Sequence, residues 1–205
     1  MKKSLIALSL AAAFAAPVFA QTAAPAAEPA AEASPHTLTG NVGLFSSYRF
    51  RGIDQTFGKP ALQGGFDYSH ASGFYVGNWN SNVSESAGFP DGNLEMDFYG
   101  GYKMAFGDFG IDVGGIYYYY PGSEKAGFTN PKSGKVNGSG AVDNGELYIG
   151  ASWKFISLKY SYAVTDYFSV PDTKGSSYLD LSANYDLGNG WGVNGHVGSL
   201  WLDDY

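Results

Sequence analysis

The sequence predicts an all-β protein, an antiparallel up-and-down transmembrane β-barrel, and three observations lead to that prediction. After residue 36, nine segments alternate apolar and polar residues with a period of two, the pattern of strands with one buried face. Aromatic residues make up 17% of the chain and glycines number 29, a combination typical of strands joined by tight turns. The connections alternate between short and long, as expected when they lie at opposite rims of a barrel.

The N-terminus has the features of a secretory signal peptide over residues 1–20. Lys2 and Lys3 supply a basic start, residues 4–16 are small and apolar, and Val18-Phe19-Ala20 fits the small-x-Ala cleavage rule. Residues 21–36 are rich in Ala, Pro and Glu without periodicity, which predicts a flexible periplasmic spacer. The barrel is then predicted over residues 37–205.

Charge and composition narrow the classes of partner and cofactor. The formal net charge is −7, so a nucleic-acid partner is not expected, because such proteins neutralise phosphates with a basic surface. The chain contains no cysteine, which excludes a disulfide framework and a thiolate metal site. After the signal, the sequence contains no run of about 18 apolar residues, so no transmembrane helix is predicted. We expect no metal and no cofactor.

The alternating segments follow one another with Gly, Asp, Asn and Ser turn signals between them. The segments span about residues 37–50, 60–70, 75–83, 93–106, 109–120, 145–155, 157–168, 179–187 and 191–202. Short turns are expected near 71–73, 107–108, 156 and 188–190, and longer loops near 51–59, 84–92, 121–144 and 169–176. The predicted order is therefore a simple meander of hairpins.

The fourth segment shows the alternation most clearly. Leu94, Met96 and Phe98 alternate there with Glu95 and Asp97. In the third segment the same reasoning places Tyr75, Gly77, Trp79, Ser81 and Val83 on the apolar face, and Asn78, Asn80 and Asn82 on the polar face. Aromatic residues lie toward the segment ends, which predicts two belts at the membrane interfaces. The belt near the long loops is predicted to contain Tyr48, Phe50, Tyr117, Tyr119, Phe168 and Trp201.

A soluble β-sandwich or a lipocalin-like barrel is the alternative to a membrane barrel. The segments run for about 10–14 residues, longer than the typical 5–6 of globular strands and long enough to cross a bilayer at a tilt. The polar face also carries many charges, and each buried unpaired charge costs several kcal/mol in a dry core. Lipid outside and a polar lumen inside satisfy both faces.

The polar face supplies the candidate functional residues. The predicted pore-lining residues are Arg49, Arg51, Asp67, Asn78, Asn80, Glu95, Asp97, Lys103, Asp112, Glu146, Lys154, Lys159 and Asp180. Basic and acidic members would either form a transverse field across a water-filled constriction or pair with one another and plug a narrow barrel. The sequence leaves these two alternatives open.

The strand count predicts that the barrel continues beyond this chain. Single-chain bacterial barrels have even strand numbers, and a sheet left open in lipid would expose unpaired backbone groups. Nine strands therefore imply a C-terminally incomplete chain, with about twelve strands in the complete protein.

Two stretches near the N-terminal end of the barrel resemble the TorF-like family of porins. These are residues 47–53, SYRFRGI, and residues 55–68, QTFGKPALQGGFDY. The likeness continues through residues 70–75 and 79–83 and weakens toward Gly190-Trp191. The resemblance implies an outer-membrane barrel that continues beyond residue 205, and it supplies no transported substrate.

The expected function is that of an outer-membrane, porin-like protein of a Gram-negative bacterium that lets small polar solutes diffuse passively. Its expected partners are outer-membrane lipid, lipopolysaccharide, the solutes themselves and the barrel-assembly machinery. A non-conducting structural or adhesion barrel is the alternative, and a barrel-embedded enzyme is a third. The sequence offers no catalytic motif, and its only imidazoles are His36, His70 and His196.

Overall fold

The computed structural model describes residues 4–9, 34–85 and 92–205 of the chain. The strands are β1 (Ser4–Ser9), β2 (His36–Phe45), β3 (Arg49–Phe50), β4 (Ile53–Asp54), β5 (Ala61–His70), β6 (Phe74–Asn82), β7 (Leu94–Phe106), β8 (Phe109–Tyr119), β9 (Asp143–Trp153), β10 (Ile156–Ala163), β11 (Ser177–Gly188) and β12 (Trp191–Trp201). A 3₁₀ turn, Tyr167–Ser169, lies between β10 and β11. The all-β prediction is confirmed.

Ten of these strands form one antiparallel sheet in the order β1-β12-β11-β10-β9-β8-β7-β6-β5-β2, while β3 and β4 form a separate small hairpin. The long strand β2 pairs with β5, and from β5 to β12 each strand pairs with the next in the chain, so the predicted meander of nine long strands is confirmed. In the described residues β1 and β2 are the outermost strands of the sheet and do not pair with each other. Closure into a barrel therefore stays a prediction.

The strand β1 lies within the predicted signal peptide. It runs antiparallel to β12, with Ser4 opposite Trp201 and Ser9 opposite His196. Residues 10–33, which contain most of the predicted spacer, lie outside the described residues. The spacer was predicted to extend to residue 36, but β2 already begins at His36, which pairs with His70.

The connections are sorted by length to the two ends of the strands, as predicted. Residues 71–73, 107–108, 154–155 and 189–190 form the short turns, and we call that end of the sheet the turn rim. The long connections 46–60, 120–142 and 164–176 lie at the other end, the loop rim, as do residues 83–85 and 92–93 of a fourth connection. Gly107 shows why the short turns suit this sequence: its φ of +62° is left-handed, a conformation that glycine adopts without strain.

The two faces of the sheet differ sharply in exposure. On one face, which we call the apolar face, Val42 is 78% and Leu38 73% exposed, and most large side chains of the neighbouring strands are also exposed. On the other, the polar face, Glu95 is 1% and Glu146 3% exposed. The sheet therefore exposes its apolar side chains and buries polar ones.

The first predicted segment ends earlier than expected. Instead of continuing to Phe50, β2 stops at Phe45, and residues 49–54 turn back as the hairpin β3–β4. The turn needs left-handed backbone at Arg51 and Gly52, whose φ values are +47° and +84°. The carboxylate of Asp54 holds the following residues by accepting hydrogen bonds from the backbone N–H groups of Thr56 and Gly58.

The hairpin and the residue before it place predicted belt residues on the polar face. Tyr48 and Phe50, predicted for the belt near the long loops, pack instead against a buried cluster of Val83, Tyr118, Tyr120 and Val142. Phe168 was predicted for the same belt at the end of the seventh segment, but β10 ends at Ala163 and Phe168 packs against this cluster too. These three predictions were wrong because tertiary packing redirects the chain after each strand ends.

The faces of β6 are also the reverse of the prediction. Asn78 pairs with Phe66 and Phe98, both exposed on the apolar face, and Asn80 pairs with Gly64 and Met96 in the next row of that face. Tyr75 and Trp79 point to the polar face instead. The prediction failed because both faces of β6 carry large apolar or aromatic side chains. Phe74 and Val76 lie on one face, and Tyr75 and Trp79 lie on the other, so the alternation does not show which face is apolar.

Candidate functional site

The polar face forms rows of side chains that run across the strands, since partners in an antiparallel pair share a face. Near the loop rim these rows are covered by the β3–β4 hairpin and its neighbouring loops. Toward the turn rim the same face opens into a cavity of about 440 Å³. The candidate site thus has a closed part and an open part.

Arg51 holds the closed part together. Its guanidinium donates two hydrogen bonds to Glu146 on β9, at 2.7 Å to Oε1 and 2.6 Å to Oε2, and a third of 3.0 Å to the Tyr167 hydroxyl. The Arg51 and Glu146 side chains are only 6% and 2% exposed. Burial lowers the pKa of Arg51, but Tyr167 and Glu146 raise it by more, so the guanidinium stays charged.

Aromatic rings surround this ion pair. The Arg51 guanidinium carbon lies 4.7 Å from the ring centre of Phe50 and 4.5 Å from that of Tyr178. Such ring contacts add attraction for the cation where water is excluded. The hairpin is therefore fixed to the polar face at its tip, which favours the plugged alternative at the loop rim.

The connection of residues 46–60, which contains the hairpin, makes a second contact with the polar face, and this contact involves two neighbouring carboxyl groups. The Tyr48 hydroxyl donates a 2.9 Å hydrogen bond to Glu95, whose side chain lies two residues along β7 from Asp97. Glu95 Oε2 and Asp97 Oδ1 are buried and meet no hydrogen-bond donor among the described residues. Burial raises the pKa of Tyr48 well above its ordinary value, and the two carboxyl groups raise it further.

The open part is organised by one row of charged residues. Lys103 on β7 lies opposite Asp112, Asp112 opposite Gly150, Gly150 opposite Lys159, and Lys159 opposite Asp180. The Tyr75 hydroxyl donates a 2.7 Å hydrogen bond to Asp112 and is also hydrogen-bonded to the Tyr148 hydroxyl. These contacts join β6, β8 and β9 across the polar face.

Tyrosine rings lie over glycines on this wall. A Cβ added at Gly77 would lie 2.5 Å from the Tyr99 ring, and one at Gly114 would lie 2.6 Å from the Tyr148 hydroxyl. The glycine leaves room for the ring to lie flat beside the backbone of the neighbouring strand. This arrangement keeps the large rings against the wall and out of the open space.

Near the turn rim the structure brings together three residues that the sequence analysis did not connect. Asp180 Oδ2 lies 2.8 Å from His196 Nδ1, and the Ser182 hydroxyl donates to Asp180 Oδ1. Ser182 and His196 are direct cross-strand partners on β11 and β12. Pairing of the eighth and ninth segments would have predicted their proximity, but only once the register was known.

Most of the predicted pore-lining residues do meet on the polar face. Asp67, Glu95, Asp97, Lys103, Asp112, Glu146, Lys159 and Asp180 all project from strands on that side, and Arg51 reaches it from the hairpin. Asp67 accepts a 2.6 Å hydrogen bond from the Tyr99 hydroxyl. Their role as pore-lining groups remains a prediction.

Four predicted members lie elsewhere. Asn78 and Asn80 occupy the apolar face, where Asn80 donates to Asn78 and Asn78 donates to the backbone oxygen of Asp97. Arg49 lies on the exposed side of the hairpin, 3.6 Å from Asp54, and its side chain is 58% exposed. Lys154 lies in a turn of the turn rim, 4.0 Å from Asp108, because β9 ends at Trp153.

The loop of residues 121–142 is partly buried against its neighbours. Asn130 is fully buried and donates hydrogen bonds to the backbone oxygens of Pro171 and Asp204. Lys135 pairs with Asp172, which lowers the pKa of that carboxyl group and raises the pKa of the lysine. The loop thereby docks on the connection between β10 and β11.

In the described ranges no helix is long and apolar enough to cross a membrane. The same ranges contain no group of three or more His, Cys, Asp or Glu side chains placed to hold a metal ion. A comparison with curated proteins finds no match to this chain. Residues 29–202 match the model of a bacterial protein family of unknown function, Gcw_chp, and the chain therefore belongs to that family.

Proposed function

We propose that this chain forms an outer-membrane β-barrel whose apolar face contacts lipid and whose polar face lines a lumen for small polar solutes. One observation carries the proposal: the apolar side chains are exposed and charged side chains are buried on the opposite face. Exposed large apolar residues include Leu62, Phe66, Leu147, Ile149, Leu181 and Val193, which span the sheet from β5 to β12.

The magnitude of this exposure argues for lipid as the surrounding medium. Burying one Val, Leu, Ile or Phe side chain is worth about 1.5–3 kcal/mol. Exposed apolar patches on soluble monomers rarely exceed a few hundred Å². A sheet that leaves an entire face of such residues exposed gains that free energy when hydrocarbon covers them.

Aromatic residues at the turn rim support an orientation. Phe106, Phe109, Trp153, Phe155, Tyr185 and Trp191 are all exposed beside the short turns. Amphipathic rings favour the interface between hydrocarbon and water. Since short turns of bacterial barrels face the periplasm, the turn rim would be periplasmic and the loop rim extracellular.

A barrel also requires that no strand edge stays open in lipid, because unpaired backbone groups there cost several kcal/mol each. The proposal therefore includes pairing at both edges of the sheet. The resemblance to TorF-like porins agrees with this barrel, and the family match adds no function to it.

A non-conducting barrel is the second candidate, and the Arg51–Glu146 pair favours it. The hairpin that carries Arg51 covers the polar face at the loop rim, so the lumen is open mainly toward the turn rim. In a diffusion pore this hairpin would set the constriction, whereas in a structural barrel it would be a permanent plug.

Conductance in planar bilayers separates the two candidates. The purified protein would be inserted and its single-channel conductance compared with that of Glu146→Gln, which weakens the hold on Arg51. We expect measurable conductance that increases in the variant. Arg49→Gln, which removes an exposed charge from the same hairpin, is the control and should conduct like the parent. If none of the three proteins conducts, the plugged barrel replaces the pore.

A further inference from the structure

Two lysines of the turn-rim cavity form no salt bridge among the described residues, and each contacts an aromatic ring instead. Lys103 Nζ lies 4.5 Å from the ring centre of Tyr75, and Lys159 Nζ lies 3.8 Å from that of Tyr148. A ring face attracts an ammonium group but carries no net negative charge. Both lysines are thus held in place by ring contacts and not by ion pairs.

The lysines stand on opposite sides of a gap. They belong to the same cross-strand row, with Asp112 and Gly150 between them. Three strand spacings separate their backbones by about 14 Å, and each lysine stem spans several ångströms of that distance. Because Gly150 has no side chain, the middle of the row stays open.

The two carboxylates of the row are already held by other groups. Asp112 Oδ1 accepts a hydrogen bond from the Tyr75 hydroxyl, and Asp180, which lies opposite Lys159, contacts Ser182 and His196. On the side of the row nearer the short turns, the cavity is lined by Ser152 and Ser157. They are direct cross-strand partners, and their hydroxyls can donate hydrogen bonds. Among the groups that line the cavity, two ammonium groups and two hydroxyls outnumber the carboxylate of Asp112, and these donors suit an anion better than a cation.

We propose that this cavity binds small organic dianions of the dicarboxylate type, with one carboxylate at Lys103 and the other at Lys159. The volume of about 440 Å³ lies within the range of small-molecule sites. The inference extends the proposed function, since the lumen is what gives such solutes access to the cavity. The binding site can be tested separately from the pore, because binding can be measured in a protein that does not conduct.

The first test is calorimetric titration of the detergent-purified protein with succinate and with succinamide, its uncharged analogue. We expect succinate to bind and succinamide not to bind. Lys103→Gln and Lys159→Gln should each weaken succinate binding by about tenfold, the effect of losing one charge-assisted contact. Lys103→Arg with Lys159→Arg should retain binding, and Lys125→Gln, in the loop of residues 121–142, should leave it unchanged.

The second test separates the site from the pore. Succinate added on the turn-rim side should reduce single-channel conductance in the parent and not in the double glutamine variant. Succinate binding that disappears in that variant while no protein conducts would keep the site and remove the pore. Three results would overturn the site. These are no binding of succinate, equal binding of succinate and succinamide, and equal succinate binding by the parent and the double variant.

Discussion

At the scale of single residues, the polar wall depends on glycines that make room for tyrosine rings. Tyr99 lies over Gly77, its direct cross-strand partner, and its hydroxyl reaches Asp67 on the next strand. A larger residue in place of the glycine would have to displace the ring. The pairing of small and aromatic residues is therefore part of the wall, and glycine content is linked here to side-chain packing as well as to turns.

Gly77→Ala should destabilise the protein by about 1–3 kcal/mol, because the new Cβ overlaps the Tyr99 ring and disturbs its hydrogen bond to Asp67. Gly150→Ala is the matched control on the same face, since its Cβ would have no neighbour closer than 3.6 Å. The measurement is the free energy of unfolding from urea titration in detergent micelles. Equal effects of the two substitutions would contradict the account.

Tyr48, also a single residue, makes a pH-dependent contribution to the stability of the folded protein. Its pKa in the folded protein is raised, so folded Tyr48 stays protonated at pH values where the unfolded chain ionises, above about 10. Its contribution to stability is present below that pH and is lost as the pH rises further toward the folded-state value.

The free energy of unfolding should fall as the pH rises from about 10 to about 11.5. The slope of this fall should be shallower in Tyr48→Phe, by up to about 1.4 kcal/mol per pH unit. Tyr205→Phe replaces an exposed tyrosine at the chain end and should leave the slope unchanged. Parallel pH curves for the parent and Tyr48→Phe would show that burial of this hydroxyl does not affect the titration.

At the scale of elements, the sequence is a good guide to strands and a poor one to the hairpin that closes the loop rim. Period-two alternation locates the nine long strands because each has one apolar face. The phase of β6 is ambiguous, since Val76 and Trp79 offer apolar residues in both phases. The position of Arg51 depends on Glu146, 95 residues away, so no local pattern could predict the contact.

The Arg51–Glu146 pair should dominate the stability of this hairpin. Glu146→Ala should cost about 3–5 kcal/mol, because it leaves a buried guanidinium without its partner. Arg49→Ala, which breaks the exposed contact to Asp54, should cost less than about 1 kcal/mol. Urea unfolding of both variants provides the comparison, and similar losses would mean that the tip of the hairpin is not anchored through Arg51.

At the scale of the whole molecule, the distribution of polarity is the reverse of that in a soluble sheet protein. The polar face buries Glu95, Asp97 and Glu146, while the apolar face exposes residues along every long strand. The sequence predicted this sorting for most strands through alternation alone. It could not predict which charges would pair, because the register and the loops decide that.

The central claim is that the apolar face contacts lipid and the polar face contacts water. Because the chain contains no cysteine, single cysteines can be introduced without background. Ile149→Cys on the apolar face and Ser152→Cys on the polar face of β9 form a matched pair, to be labelled with an environment-sensitive fluorophore in reconstituted vesicles. We predict that nitroxide-labelled lipid quenches the label at position 149, and a water-soluble quencher the label at position 152. Quenching of both labels by the water-soluble agent alone would contradict the account.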